Sequence, residues 1–287
     1  MKKKTLHNIQ LSALLAKRLL PLPLVVLLLL LPTGCKKDLD LDYHQTTPLY
    51  VVEGSVTPER TRVRITQTQD MTDNSGGIGV EGANIYITSG DSIRERVLYS
   101  RNGYYLSALR GQPGVRYQID IDLDGHHFTS SSTMQPMPTL NSARFVWKKF
   151  ATERLLMIDL HVQDIPGATN YYFLHLFRND VGYRWALMRD TQRDANGQLQ
   201  QLFTCCSERD MKKGTSNDVI NEGDVMRLEV RAIDRTAYDY LYSMQVMENT
   251  GTNPIANFSG GCLGYFTAYS QVEYEMTFHQ AEVEEEE

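Results

Sequence analysis

Four groups of residues in this sequence have the types and spacings that could do chemistry. The first is Cys35, which follows Leu31-Pro32-Thr33-Gly34 at the end of an apolar run. That arrangement resembles a lipobox, where a bacterial prolipoprotein is acylated on the cysteine sulfur and cut just before it. Acyl chains contribute roughly 0.8 kcal/mol per buried CH₂, and more than one chain gives stable anchoring. A lipidated Cys35 would therefore hold the protein on a membrane without a spanning helix. The second group is Cys205, Cys206 and Cys262. An odd number of cysteines in an oxidising compartment predicts one disulfide and one buried or spare thiol. The expected pair is Cys262 with Cys205 or Cys206, and a vicinal Cys205–Cys206 bridge is the sharper alternative.

The third group, Asp120-Ile121-Asp122-Leu123-Asp124-Gly125, begins like a calcium loop. Its twelfth position is Ser131 rather than a bidentate glutamate, and Ile121 and Leu123 continue an apolar alternation. A strand ending in an Asp-Gly turn is the expectation. The fourth is His126-His127, whose neighbouring side chains should leave a strand on opposite faces. Two ligands to one metal are not expected from that pair, and His161, His175 and His279 stand singly. There is no H-E-x-x-H for a zinc protease and no G-x-S-x-G for an esterase. Carboxylates are plentiful, but no pair is distinguishable as acid and base. The expectation is a non-enzyme, with no catalytic residue, metal or cofactor.

Aromatic residues carry the remaining signal. Trp147, Tyr171, Tyr172, Tyr183, Trp185, Tyr265, Phe266 and Tyr269 concentrate in the second half, and most are expected in a core. Tyr183, Trp185, Tyr265, Phe266 and Tyr269, assigned to loops, are the candidates for a partner or ligand surface, because Tyr and Trp are enriched in binding hot spots.

The elements that must position these groups begin with a secretory signal over residues 1–34. Lys2, Lys3, Lys4, Lys17 and Arg18 form its basic region, and Leu19 to Leu31 form its apolar core. That core is short for a transmembrane helix and contains Pro21 and Pro23. Its removal takes five of the 29 basic residues and none of the 35 acidic ones, leaving a formal charge of −11. So acidic a chain disfavours nucleic acid, whose binding rests on cationic neutralisation of phosphates. Residues 35–48 read as the lipidated cysteine and a polar tether.

From Leu49 onward the pattern is of short strands and tight turns. Asn102-Gly103 and Asp124-Gly125 mark hairpins, and Tyr117, Ile119, Ile121 and Leu123 alternate with polar residues. Residues 49–135 predict an N-terminal β-sandwich of immunoglobulin or transthyretin type. Gln135-Pro136-Met137-Pro138-Thr139 is the expected boundary. Residues 140–280 predict a larger β domain with one helix over about 234–249, capped by Asp234 and carrying Ala237, Leu241, Met244 and Met247 on one side. The acidic end, 281–287, reads as a solvated, disordered tail.

Several segments together resemble one family. Leu49-Tyr50-Val51-Val52-Glu53-Gly54, Val63-Arg64-Ile65-Thr66 and Val80-Glu81-Gly82-Ala83-Asn84-Ile85 fit its opening blocks. Gly103-Tyr104-Tyr105 and Gly114-Val115-Arg116-Tyr117 fit its middle, and Asn253-Pro254 through Phe258-Ser259-Gly260-Gly261-Cys262-Leu263-Gly264-Tyr265-Phe266 its closing signature. The family is the lipoproteins grouped as domain of unknown function 4249. The resemblance implies a lipoprotein of Bacteroidota outer membranes, facing the cell exterior and acting as a non-enzymatic accessory or ligand-capture partner of a TonB-dependent receptor. Lys37-Asp38 resembles the export signal of such surface lipoproteins, although Leu39 interrupts its acidic pair. The other readings are a self-standing adhesin or envelope structural protein and, less favoured, a secreted hydrolase.

Overall fold

The computed structural model describes residues 48–69, 77–90, 93–214, 219–250 and 254–286. Cys35, the signal segment before it and the tether through Thr47 lie outside the described residues, as does Asn253 of the closing signature. No helix among the described residues is long and apolar enough to cross a membrane.

The chain is mainly β. Its first strands are β1 (Tyr50–Val56), β2 (Thr61–Gln67), β3 (Asn84–Ser89), β4 (Ile93–Arg101), β5 (Tyr104–Ser107), β6 (Arg116–Leu123) and β7 (His126–Thr133). There follow β8 (Thr139–Phe150), β9 (Glu153–Gln163), β10 (Tyr171–Arg178), β11 (Val181–Arg189) and β12 (Gln198–Ser207). Helix α1 (Glu208–Lys213), β13 (Val225–Ile233) and helix α2 (Arg235–Thr250) precede β14 (Leu263–Ala268), β15 (Ser270–Thr277) and β16 (Glu284–Glu286).

One sheet runs in the order β14-β1-β2-β5-β4-β3-β6-β7. β4 makes the corner, because its first half pairs with β3 while Leu98 to Arg101 pair with β5. The sheet thereby folds over itself around Val52, Ile65, Ile85, Ile87, Ile119, Ile121, Phe128 and Phe266. On β6 the alternation puts Tyr117, Ile119, Ile121 and Leu123 inside, none more than 3% exposed. Each such side chain contributes on the order of 1.5–3 kcal/mol by leaving water. The two ends of the strand order meet through side chains: Ser132 Oγ accepts from Ala268 N at 2.8 Å, and Ser130 Oγ donates to Asn257 O at 2.9 Å. Asn102 and Gly103 both have positive φ, as do Asp124 and Gly125, so both expected hairpin turns form.

The second sandwich stacks the sheet β11-β10-β13-β15 on the sheet β12-β9-β8-β16. Leu156, Ile158, Leu160, Leu174, Leu176, Leu228 and Val230 fill the space between them and are fully buried. Asp234 Oδ1 accepts from Ala237 N at 3.0 Å and caps α2, while its Oδ2 accepts from Thr133 N at 3.0 Å. One carboxylate thus ties the helix start to β7 of the first sandwich. Ala237 and Leu241 pack with Phe173, Ile233, Tyr265 and Tyr269 in a third cluster where the helix and the two sandwiches meet.

Two expectations need correction. β14 lies inside the stretch assigned to the second domain, yet it pairs in parallel with β1, from Val51↔Leu263 to Val56↔Ala268. The first sandwich is therefore completed by a strand from near the chain's end, and β15 continues directly into the second. The acidic end is not simply a solvated tail, because Glu284–Glu286 pair in parallel with β8. Arg144 and Arg154 supply countercharges, to Glu284 at 2.7 Å and to Glu285 at 2.5 Å.

Candidate functional site

On β13 the inward residues Met226, Leu228 and Val230 alternate with Arg227, Glu229 and Arg231, so the charged set lies on the sheet's outer face. β10 contributes Phe173, His175 and Phe177 to the same face, paired across the ladder with Arg231, Glu229 and Arg227. The Arg227 guanidinium lies 4.1 Å from the Phe177 ring centre, and that of Arg231 lies 5.4 Å from Phe173 and 4.8 Å from Tyr269. Glu229 accepts from both arginines. Burial alone would raise its pKa, but Arg231 and Arg227 outweigh burial and hold the carboxyl below the usual glutamate range. Burial also pushes His175 below its ordinary value, with Arg231 adding to the effect.

Across from this face stands the outer side of the first sandwich, with Glu53 and Ser55 on β1, Arg62 and Arg64 on β2, and Tyr104 on β5. Tyr265 and Thr267 of β14, followed by Tyr269, join the two sides. Two adjoining cavities result, of about 310 Å³ and 130 Å³, which share Ser55, Arg62, Arg231 and Tyr269. Among the described residues the Arg62 side chain makes no ion pair or hydrogen bond. Arg64 meets Glu53 only at 3.9 Å and lies 5.2 Å from the Tyr104 ring centre. Its Nε is buried without a hydrogen-bond partner, and so is Thr267 Oγ1. Buried polar atoms are normally paired, so two unpaired ones beside one cavity distinguish this cleft from the rest of the described surface. Burial raises the Tyr265 hydroxyl to about 12, against an opposing pull from Arg231, so it stays a protonated donor at neutral pH.

The aromatic residues singled out from sequence do not form one surface. Tyr265 and Tyr269 reach the cleft, but as strand and strand-junction residues rather than loop residues. Phe266 is corrected from surface to core: its neighbour alternation on β14 turns it inward, and it is 0% exposed. Tyr183 packs against the second core and donates to Cys205 O at 3.1 Å. Trp185 lies half-buried beside Phe173, with ring centres 5.9 Å apart. The residues that sequence reasoning missed are Arg62, Arg64, Tyr104, Glu229, Arg231 and Thr267. Their one signal was alternation with apolar neighbours, which any solvated strand face shares.

The expected disulfide is also corrected, for Cys205, Cys206 and Cys262 are all buried and none is in a disulfide. Cys205 and Cys206 belong to the core of the second sandwich and Cys262 to that of the first. Burial raises the Cys205 and Cys262 thiols to about 12, which keeps them protonated and unreactive. The aspartates of the third group form strand and turn. Asp122 pairs with His127 across the hairpin at 2.7 Å, and Asp124 accepts from the Tyr50 hydroxyl at 2.7 Å. His126 packs 5.8 Å from Phe128. Among the described residues no three His, Cys, Asp or Glu side chains are grouped to hold a metal ion.

The closing signature has a structural job. Gly264 has φ +97°, and a Cβ there would lie 2.0 Å from Val52 O. Only glycine lets β14 lie this close to β1. Asn257 Oδ1 then accepts from Phe266 N and from Ser130 Oγ, both at 2.8 Å. The middle blocks are tied in the same way, because the Tyr105 hydroxyl donates to Val80 O and accepts from Ala83 N, each at 3.1 Å.

No curated protein matches the sequence. Among solved structures, a two fibronectin type III domain segment from chicken tenascin is similar over 81% of this chain and 100% of that one, at 8% identity and a TM-score of 0.23. The family model described as "Domain of unknown function (DUF4249)" matches residues 36–275. The residues of its blocks build the β1–β14 junction and the tyrosine ties just described, and the chain belongs to that family.

Proposed function

We propose that this protein is a lipid-anchored protein of a Bacteroidota outer membrane, exposed at the cell surface. In this reading it works without catalysis of its own, as a ligand-capture partner of a TonB-dependent receptor. The lipobox at Cys35 supplies the anchor, and Lys37-Asp38 supplies the outward address. The observation that carries the reading is the cleft between the sandwiches, where Arg62, Arg64 and Thr267 hold hydrogen-bonding capacity that the described protein does not use. Such a cleft, walled by cations and aromatic rings, suits reversible capture. Pull-down of the tagged lipoprotein from detergent-solubilised outer membranes tests it. A TonB-dependent receptor should copurify in near-stoichiometric amount, and repeated preparations without one would contradict the reading.

A further inference from the structure

We propose that the smaller cavity is a carboxylate-binding pocket, receiving the acid group of a small organic solute whose body extends into the larger cavity. This deepens the capture reading above and rests on it. The smaller cavity is walled by Arg62, Arg64 and Arg231 against the single carboxylate of Glu53. Arg231 is committed to Glu229, whereas among the described residues Arg62 has no ion-pair or hydrogen-bond partner and Arg64 keeps a buried Nε–H unpaired. An arginine fork matches the two oxygens of a carboxylate, and a charge-assisted pair is about twice as strong as a neutral hydrogen bond. A neutral oxygen could accept from the Arg64 donor, but only an anion also answers the Arg62 charge.

A phosphate dianion fits less well, because Glu53 borders the same space and repels two charges more than one. Tyr104, Tyr265 and Tyr269 add phenolic groups around the pocket. Tyr269, Gln271 and Met137 then line the larger cavity, where a ring or short chain can lie. An acidic sugar and a peptide C-terminus both present this chemistry.

Calorimetric titration of the full-length lipoprotein in detergent separates these sources and tests the pocket. The probes are glucuronate and N-acetylglycylglycine, with glucose, N-acetylglycylglycine amide and inorganic phosphate as comparisons. At least one carboxylate probe should bind one-to-one, and neither neutral counterpart should. Phosphate should bind more weakly than that probe. Arg62→Gln, at an exposed position, should weaken binding tenfold or more while leaving the thermal midpoint unchanged. Thr267→Val, which preserves shape, should weaken it several-fold. Binding of neither carboxylate, phosphate binding more tightly, or an undiminished affinity in Arg62→Gln would each overturn the pocket. Receptor copurification is scored on the same preparations. Silent carboxylate probes with the receptor still bound would reject the pocket alone, and the converse would reject the receptor reading alone.

Discussion

In the first sandwich the buried polar side chains are hydroxyls: Thr61, Thr66, Ser130, Ser132 and Thr267. In the second they include carboxylates. Asp159 is held by Gln200 at 2.7 Å, His161 at 3.1 Å and Arg144 at 3.3 Å. Asp164 is held by Arg193 at 3.0 Å and by Asn170 and Tyr172 at 3.1 Å, and Glu229 by its two arginines. Hydroxyls do not titrate at these pH values, and those of Ser130 and Ser132 join the ends of a strand order that a late strand must complete. Carboxylate closures cost more to bury and depend on their partners. In return they fix cations in place, and Glu229 is what holds Arg231 at the cleft. One sandwich is specialised for closure and the other for positioning charge.

Breaking a carboxylate closure should have the largest effect. Asp164→Ala leaves the buried Tyr172 hydroxyl without its acceptor and the half-exposed Arg193 without its countercharge, and should cost about 3 kcal/mol. Urea unfolding followed by tryptophan fluorescence reads this directly, because Trp147 and Trp185 both belong to the second sandwich. Gly264→Ala strikes the other half. A side chain at positive φ, pressed on Val52 O, should cost on the order of 3 kcal/mol. Far-ultraviolet circular dichroism should register that loss. If the tryptophan transition moves by the same amount, the two halves unfold as one cooperative unit. If it lags, the contrast sharpens into separate transitions.

Acid should discriminate next. Asp159 and Glu229 both titrate below their ordinary values of 3.8 and 4.5 when folded. Their contribution to stability is complete above those values and is lost as pH falls through the lower, folded ones. His175 moves in the same sense, since its folded value lies below 6.5 and protonation therefore favours unfolding as pH drops beneath that value. The tryptophan-detected midpoint should decline from about pH 6.5 downward, with the steepest loss below pH 4.5. A midpoint flat from pH 4.5 to pH 2 would contradict the carboxylate account, and one flat from pH 7 to pH 5 would contradict the His175 contribution. The smallest effect should come from reductant. With none of Cys205, Cys206 and Cys262 in a disulfide, dithiothreitol should leave both transitions where they are, whereas a fall of several degrees would restore the expected disulfide.

Much of the fold was legible in sequence because strict alternation, as in Tyr117 to Leu123, and Asn-Gly or Asp-Gly turns are local signals. The helix was legible through Asp234 and the spacing of Ala237 and Leu241. The parallel pairing of β14 with β1 was not, since it joins residues some 200 positions apart and no local pattern records such a partner. The pairing of Glu284–Glu286 was hidden in the same way, because its countercharges, Arg144 and Arg154, lie far back in the chain. The candidate site was the least legible part. Arg62, Arg64, Glu229 and Arg231 read as ordinary outward residues until two outer faces are brought together, and the aromatic signal pointed partly at residues that strand parity turns inward, such as Phe266.

The measurement that bears most directly on the central claim is a gene deletion scored for TonB-dependent uptake and surface attachment in the same culture. Uptake of the captured solute should fall while attachment is unchanged, and wild type but not Arg62→Gln should restore it. Normal uptake with lost attachment would contradict that claim and mark the protein as an adhesin.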